Sequence, residues 1–290
     1  LPGVITLRSG WEGLPAPDDR FDAGAMWRRL LPYALALWSM NLLTNAFFIS
    51  DRYMILHGMP VGTLSGTSAV GQYHSSRIIP GPLTSVATMI SGILMPYLTA
   101  DWEAGRRSHV RKRMRQSLFA VAVLFTLVAA VALWFAPWLF GTVLRGRYAD
   151  GMYLMPMSFV IAIWFALAMI AQNYLWVNER GKLVATAMGC GLAANMALNY
   201  MLLPIWGLTG AVLATLVANG LMLCGVWMAM ARLRYPLDIG ILCLTLLPLT
   251  LLAGPTVATI CTALTAWGLP VARESLGEAF HQVQRRLAPS

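Results

Sequence analysis

"NMALNYMLLPIWGLTGAVLAT", residues 195–215, places two asparagines four positions apart in an apolar run, interrupts the run at Pro204 and resumes it on small residues. Side chains four apart share one helix face, and an unpartnered polar group in hydrocarbon costs several kcal/mol. Asn195 and Asn199 must therefore face protein or water. The small residues that follow the turn have a spacing that lets two helix backbones approach closely. They are Gly207, Gly210, Ala211 and Ala214. The stretch predicts a tight helical hairpin inside a membrane.

The composition of the whole chain agrees with a membrane environment. The chain has 290 residues, of which 58% are hydrophobic and 11% charged, with a mean hydropathy of +0.64, whereas soluble domains carry about 25% charged residues. Uncharged runs cover residues 116–144, 151–178, 183–231 and 239–272. Each run can hold a helix of the roughly 20 residues that cross hydrocarbon. Because none alternates polar and apolar residues, barrel strands are excluded and the fold class is all-α and polytopic.

About eight transmembrane helices fit the pattern of apolar runs. They are predicted at residues 33–50, 69–98, 117–136, 153–177, 183–203, 208–231, 239–253 and 256–267. The chain then divides into a polar linker (1–29), a transmembrane helical domain (30–270) and a cytoplasmic amphipathic tail (271–290). The linker has no signal-peptide pattern and is expected to be entered from an upstream segment.

Lys and Arg in the short loops predict the orientation. If alternate loops are cytoplasmic, fifteen Lys and Arg lie inside, and four lie outside or within the membrane. Both ends of the chain, and so the C-terminus, are then cytoplasmic. The basic residues lie in short loops between apolar runs, which argues against nucleic acid as a partner. The basic run at 106–115 is expected to fix orientation and to attract anionic membrane lipids.

Further polar residues lie inside the predicted spans and make up the candidate site. Asn41 and Asn45 repeat the four-residue spacing in the first span, and Asn219 stands alone in the sixth. Two interpretations stay open for the pair at Asn195 and Asn199: hydrogen bonds between helices, or the lining of a hydrated cavity. Polar inner faces on several helices favour a transporter cavity over a passive anchor.

Arg77 and the Asp51-Arg52 pair are the charged candidates. If the second helix begins near residue 69, Arg77 lies about 12 Å along it and requires a wet cavity or an anionic partner. If the helix begins at Pro80 with Ser76 as its cap, Arg77 lies at the interface instead. Asp51 and Arg52 are expected to end the first span as a local ion pair, with a substrate or gating role for the pair as the alternative.

The chain carries no sequence signature of catalysis, cofactor binding or metal binding. The chain has no glycine-rich phosphate loop, no HExxH motif and no loop long enough for a catalytic domain. Its four cysteines lie in apolar runs without paired spacing, and His57 and His74 lack metal-ligand spacing. We therefore expect a protein that is not an enzyme, with no cofactor and no metal.

Four stretches resemble the second half of the polysaccharide exporters, the lipid-linked oligosaccharide flippases of the multidrug, oligosaccharidyl-lipid and polysaccharide exporter superfamily. They are "NAFFISDRYMI" (45–55), "VGQYHSSR" (70–77), "LRGRYADGMYLMP" (144–156) and "GKLVATAMGCGLAANMALNYMLLPIWGLTGAVLAT" (181–215). The last carries that family's G-K, N-x-x-L-N, L-x-P and G-x-x-G-A features and is the most specific. Together the four cover residues 30–231.

The resemblance implies fourteen helices in two lobes around a central cavity, with alternating access moving a polyprenyl-linked oligosaccharide across the cytoplasmic membrane. It makes Arg77 a candidate partner for a pyrophosphate or acidic sugar. The candidate substrate-binding residues are then Arg77, Arg52, Asn41, Asn45, Asn195 and Asn199. Only eight spans fit this chain, so the first lobe is expected upstream, or as a second copy. The alternatives are a cation-coupled multidrug exporter of the same superfamily, a membrane glycosyltransferase or polymerase, and a non-transporting scaffold.

Overall fold

The structure, a computed structural model, describes residues 23–59, 65–146 and 148–268. Every regular element within these ranges is helical. The helices are α1 (Ala23–Gly58), α2 (Gly66–Ser75), α3 (Pro80–Glu103), α4 (Arg107–Trp138), α5 (Ala149–Val177), α6 (Gly181–Arg232), α7 (Ile239–Leu246) and α8 (Pro255–Gly268). A π-helical turn (Leu139–Val143) follows α4, and a 3-10 segment (Leu247–Ala253) follows α7. Most of the predicted linker and the predicted tail at 271–290 lie outside the described residues.

Four helical segments in the described ranges are long and apolar enough to cross a membrane. They are Pro80–Glu103, Arg107–Val143, Asp150–Val177 and Gly181–Arg232, and a shorter apolar segment covers Ile239–Ala253. The chain therefore has the character of an α-helical membrane protein, and the all-α prediction is confirmed. The number of spans stays a prediction, because α1 falls short of the same criteria although it extends well beyond the predicted residues 33–50.

The 52-residue helix α6 is two antiparallel arms joined at Gly207. Gly207 has φ 54° and ψ −134°, a left-handed conformation that glycine adopts without steric cost. A Cβ on Gly210 would lie 2.3 Å from the carbonyl oxygen of Leu202, so the two arms touch backbone to backbone beside the turn. Pro204 cannot donate an intrahelical hydrogen bond and lies in the last turn before the bend. The predicted hairpin and the packing role of its small residues are present.

We expect Gly210→Ala to destabilise the hairpin by about 1–3 kcal/mol, the usual cost of overpacking. The new methyl group would overlap backbone atoms of Leu202, which cannot rotate away as a side chain can. The measurement is the thermal unfolding midpoint of the purified protein in detergent. Gly189→Ala is the matched control, because Gly189 is helical in the same element and nothing lies within 4 Å of its Cβ position. Equal midpoints for the two variants would contradict the close approach.

The second predicted span is broken in the structure. The helix α2 ends at Ser75, a turn covers residues 76–79, and α3 begins at Pro80, whose missing N–H suits a first helical position. Arg77 lies in this break. The structure therefore agrees with the alternative in which the helix begins at Pro80. Ser76 is nevertheless not its cap: the N-cap residue is Ile79, while the Ser76 hydroxyl donates to the Tyr73 carbonyl.

The helix α5 is the centre of the bundle, with α3, α4 and α6 packed around it. It is hydrophobic on all sides, as expected of a helix that is enclosed by others. Asn173 on α5 and Ser91 on α3 are joined through Asn173 Nδ2 and Ser91 Oγ at 2.9 Å. The helix α1 packs on α6 and on α2, whereas α3 packs on α5 and α4, which leaves a gap between α1 and α3.

Residues 101–107, 174–182 and 232–238 come together at one end of the bundle, which we call the basic end. The rings of Trp102 and Tyr235 both pack edge-on against Tyr174, with centroid distances of 6.0 and 4.9 Å. Burial raises the pKa of Tyr235 to about 12, so this phenol stays neutral near pH 7. Arg115 forms a salt bridge with Asp238, whose other oxygen caps α7 by accepting from Ile241 N. The loops that the sequence predicts on one face of the membrane therefore lie at the same end of the bundle.

The basic run at 106–115 differs from its prediction as a loop. It forms the first turns of α4, which begins at Arg107. Asp101, at the end of α3, accepts from Arg106 Nε at 2.9 Å and from Arg113 Nε at 2.7 Å. The guanidinium of Arg107 lies over the Trp102 ring, 3.1 Å from its centroid. The run is helical because these contacts offset the repulsion between like charges in adjacent turns.

The last two predicted spans are also present as helical segments. The helix α7 continues into the 3-10 segment, which ends at Ala253. Gly254, with φ 118°, then reverses the chain and α8 begins at Pro255. The break lies where the Gly254-Pro255 dipeptide predicted it, although the first of the two segments changes from α to 3-10 geometry midway.

Candidate functional site

A buried carboxylate organises the polar residues at the end of the bundle opposite the basic end. Asp51 on α1 is fully buried and lies about 10 Å along the axis from the end of its helix at Gly58. Its Oδ2 accepts a hydrogen bond from the Tyr73 hydroxyl at 2.5 Å, and its Oδ1 accepts one from Asn199 Nδ2 at 3.0 Å. The Thr215 hydroxyl lies 3.0 Å from Oδ2. Three elements, α2 and both arms of α6, therefore supply donors to a carboxylate on a fourth helical segment.

This arrangement corrects the expectation for Asp51 and Arg52. The first helix does not end there, and the structure records no salt bridge between the two residues. Successive residues of a helix point about 100° apart, so Asp51 faces the bundle while Arg52 is exposed on another face. Arg52 is thus separated from the polar residues around Asp51. The substrate role proposed for it stays a prediction.

The asparagines of the opening stretch hold the two arms of α6 to each other and to α1. Asn195 and Asn199 are both fully buried. Asn199 Nδ2 donates to Asn195 Oδ1 at 3.1 Å as well as to Asp51, and Asn195 Nδ2 donates to Thr215 Oγ1 at 3.3 Å. Of the two interpretations left open by the sequence, hydrogen bonding between helices describes these contacts. We call Asp51, Tyr73, Asn195, Asn199 and Thr215 the Asp51 cluster.

One oxygen of the Asp51 cluster lacks a partner. Asn199 Oδ1 is buried and accepts no hydrogen bond from any group in the described part of the chain. The Thr215 hydroxyl has a single proton and two acceptors, Asp51 Oδ2 and the Ala211 carbonyl at 2.9 Å. The cluster is therefore richer in acceptors than in donors, a condition that favours a positive charge or an added proton nearby.

Arg77 connects the Asp51 cluster to an open cleft. Its Nη2 lies 3.9 Å from Asp51 Oδ2, and its guanidinium lies over the Tyr73 ring, 4.7 Å from the centroid. The Arg77 side chain is 17% exposed, whereas that of Asp51 is wholly enclosed. The exposed side of Arg77 lines a small cleft together with Thr44, Phe47, Ser158, Phe165 and Asn219.

That cleft is the part of a groove that lies nearest the Asp51 cluster. The groove runs between α1 and α3 over α5. A second cleft continues it, sharing Thr44, Thr84 and Phe165 with the first. A third cleft lies at the basic end; it begins one helical turn from the second cleft on α1, at Tyr33, and about two turns from it on α3, at Met95, and the two share no lining residue. The three clefts are thus spaced along α3 between the break before Pro80 and Glu103, a distance of about 36 Å for 24 helical residues.

The walls of the groove carry hydroxyl and amide groups in an apolar setting. The hydroxyls of Thr44, Thr84 and Thr88 each donate to a carbonyl of their own helix, at 2.8, 2.7 and 2.9 Å. Their oxygens keep lone pairs that can accept from a guest. Asn41 lines the same groove, and Asn45 Nδ2 donates to Asn41 Oδ1 at 2.7 Å. Both asparagines are exposed, unlike the α6 pair.

The six predicted site residues thus separate into three groups. Asn195 and Asn199 lie in the buried cluster, Arg77 bridges the cluster and the groove, and Asn41, Asn45 and Arg52 are exposed on α1. The sequence reasoning overlooked Tyr73 and Thr215 and misplaced Asp51. The sequence carried one signal for the position of Asp51. The apolar residues 53–56 directly after Asp51-Arg52 continue the helical run, which indicates that the first helix extends beyond Asp51.

No group of three His, Cys, Asp or Glu side chains that could hold a metal ion occurs among residues 23–59, 65–146 and 148–268. The Asp51 carboxylate instead faces hydrogen-bond donors, the Tyr73 and Thr215 hydroxyls and Asn199 Nδ2, with the Arg77 guanidinium beside them. The described geometry is thus that of an α-helical membrane protein with an internal ionisable cluster beside an open, mostly apolar groove that carries hydroxyl and amide groups. Comparisons of the chain with protein-family models, curated protein sequences and solved structures find no match.

Proposed function

We propose that this chain forms one lobe of a carrier that moves a polyprenyl-linked oligosaccharide across the cytoplasmic membrane by alternating access. The observation that carries the proposal is Arg77, which lies in a helix break with one side against Asp51 and the other facing the groove. Discontinuous helices commonly form substrate sites in transporters, and guanidinium suits phosphate oxygens. The resemblance of residues 30–231 to polysaccharide exporters supports the same cargo.

The groove supports the sugar part of the proposal. Its threonine oxygens and the amides of Asn41 and Asn45 are neutral groups that can exchange hydrogen bonds with sugar hydroxyls. The exposed faces of α1 and α3 leave one side of the groove open. In the proposal a second lobe of helices, in the same polypeptide or from a second copy, covers that side. The protein is then a carrier without catalytic residues, with the basic end and the C-terminus in the cytoplasm.

The leaflet in which the cargo accumulates tests this proposal. We expect cells depleted of the protein to retain lipid-linked repeat units on the cytoplasmic leaflet, because no carrier would bring them outward. The measurement is the accessibility of the labelled lipid-linked sugar to an impermeant oxidant, in right-side-out and inverted vesicles. Cells complemented with the unaltered gene are the control. Normal outward appearance of the repeat units and normal polymer in depleted cells would contradict the proposal.

A cation-coupled exporter of the same superfamily is the second candidate, and Asp51 favours it. Coupling to protons or cations calls for an ionisable group inside the membrane, and intramembrane carboxylates are costly enough to mark such sites. Asp51 is fully buried between helices, with the unpartnered Asn199 Oδ1 in the same cluster. A drug rather than a lipid-linked sugar as cargo would leave surface polysaccharide intact in depleted cells and raise their drug sensitivity.

A further inference from the structure

The largest cavity that we describe lies at the basic end, between the start of α1 and the loop before α6. Its volume is about 710 Å³, and we call it the basic-end pocket. Arg180 and Lys182 lie on its rim, and Tyr33 and Trp176 pack edge-on inside it with centroids 5.8 Å apart. Gly181 leaves room for the Trp176 ring, since a Cβ at position 181 would lie 2.3 Å from that ring.

The two cationic side chains of this pocket form no salt bridge within the described part of the chain. Three other basic residues at the same end are paired with carboxylates: Arg106 and Arg113 with Asp101, and Arg115 with Asp238. No salt bridge joins Arg180 or Lys182 to a carboxylate of residues 23–59, 65–146 or 148–268. Glu179, also on the rim, leaves the pocket with a net charge of +1.

The rest of the pocket wall is apolar. Leu30, Pro32, Ala36, Leu183 and Leu233 form most of it beside the two aromatic rings. A wholly hydrated anion would gain nothing from these side chains, and a neutral lipid would gain nothing from the two cations. The combination suits an amphiphilic anion, in which phosphate or pyrophosphate is attached to a hydrocarbon chain.

The basic-end pocket adjoins the third cleft. The two share Tyr33, Trp176 and Glu179, and Met95 and Thr99 of α3 line the third cleft. Arg77 lies beyond the opposite end of α3, about one α3 length away. The two basic positions thus stand at opposite ends of α3, with the clefts between α1 and α3 lying between them.

We propose that the basic-end pocket, through Arg180 and Lys182, is the first binding position for the phosphate-bearing end of the lipid-linked cargo, before the cargo reaches Arg77. This inference rests on the proposed function and adds a loading site to it. Arg180 and Lys182 bind the phosphate oxygens, the apolar wall holds the adjacent carbons of the lipid, and the hydroxyls of the groove receive the sugar.

Binding of radiolabelled farnesyl pyrophosphate to the full-length protein in phosphatidylcholine nanodiscs tests the pocket. We expect saturable binding that Arg180→Ala/Lys182→Ala weakens by roughly 10- to 100-fold, since two charge-assisted contacts are lost. The charge-exchanged variant Arg180→Lys/Lys182→Arg should retain most of the affinity. Arg111→Ala/Lys112→Ala removes the same charge from α4, outside the pocket, and should bind like the unaltered protein. Thermal midpoints identify any variant that fails to fold.

Competition identifies the ligand chemistry. Inorganic pyrophosphate in excess should displace the probe weakly and farnesol hardly at all, because each carries only half of the recognised structure. If phosphatidylglycerol in the nanodisc displaces the probe through Arg180 and Lys182, the site is a phospholipid site and the inference is overturned. Unchanged affinity in the Arg180→Ala/Lys182→Ala variant, or no binding by the unaltered protein, also overturns it. Neither of the last two results touches the proposed function, which the leaflet assay decides separately.

Discussion

Asp51→Ala is expected to destabilise the folded protein by about 3–5 kcal/mol, the usual cost of removing one partner from a buried charged network. The substitution takes the acceptor away from the Tyr73 hydroxyl and Asn199 Nδ2, and the counter-charge away from Arg77. Tyr73 and Asn199 cannot find water instead, because packed helices enclose both. The measurement is the unfolding midpoint of the purified protein in detergent, together with its yield in the membrane.

Two further variants separate the charge of Asp51 from its hydrogen bonds. Asp51→Asn keeps the size of the side chain and removes the charge, and Tyr73→Phe removes one donor and keeps the charge. Tyr73→Phe should cost only about 0.5–1.5 kcal/mol. If the export cycle uses the charge of Asp51, Asp51→Asn abolishes cation-dependent export even where the protein folds. A midpoint for Asp51→Ala within experimental error of the unaltered protein would contradict the buried network.

Arg77→Ala is expected to abolish export while the protein still inserts into the membrane. Arg77 presents the only cation on the wall of the cleft beside the Asp51 cluster, in the part of the chain that the structure describes. The field of a guanidinium is strong in this mostly apolar cleft, so its loss should reduce export by at least about 100-fold, or roughly 3 kcal/mol. Surface polysaccharide, measured in cells that carry only the variant gene, reports the loss.

The conservative variant distinguishes the binding role of Arg77 from a purely structural one. Arg77→Lys keeps the charge beside Asp51 but loses the planar, bidentate donor set, so we expect partial export and a near-normal unfolding midpoint. Arg106→Ala is the matched control, because Arg106 pairs with Asp101 at the basic end, away from the cleft. Normal polysaccharide with Arg77→Ala would remove Arg77 from the export mechanism.

Local sequence chemistry was sufficient to predict most of the helical segmentation. Long uncharged runs specify helices because lipid leaves backbone groups no other partner, and Gly207 and the Gly254-Pro255 dipeptide mark reversals because few residues tolerate those conformations. The break before Pro80 was open to two interpretations, since a proline either bends a helix or begins one. Only packing decides between these outcomes, and here Ser76 Oγ lies 3.0 Å from Ser158 Oγ across the break.

The sequence alone determined the all-helical character, the α6 hairpin and the presence of polar residues at helical spacing in apolar runs. Each of these depends on interactions between residues a few positions apart. The tertiary structure alone decided which polar residue meets which: Asp51 and Thr215 are 164 positions apart, and Asn199 reaches Asp51 across 148. Such pairings depend on how helices pack and rotate against each other. A residue's neighbours along the chain, such as Arg52 beside Asp51, do not reveal them.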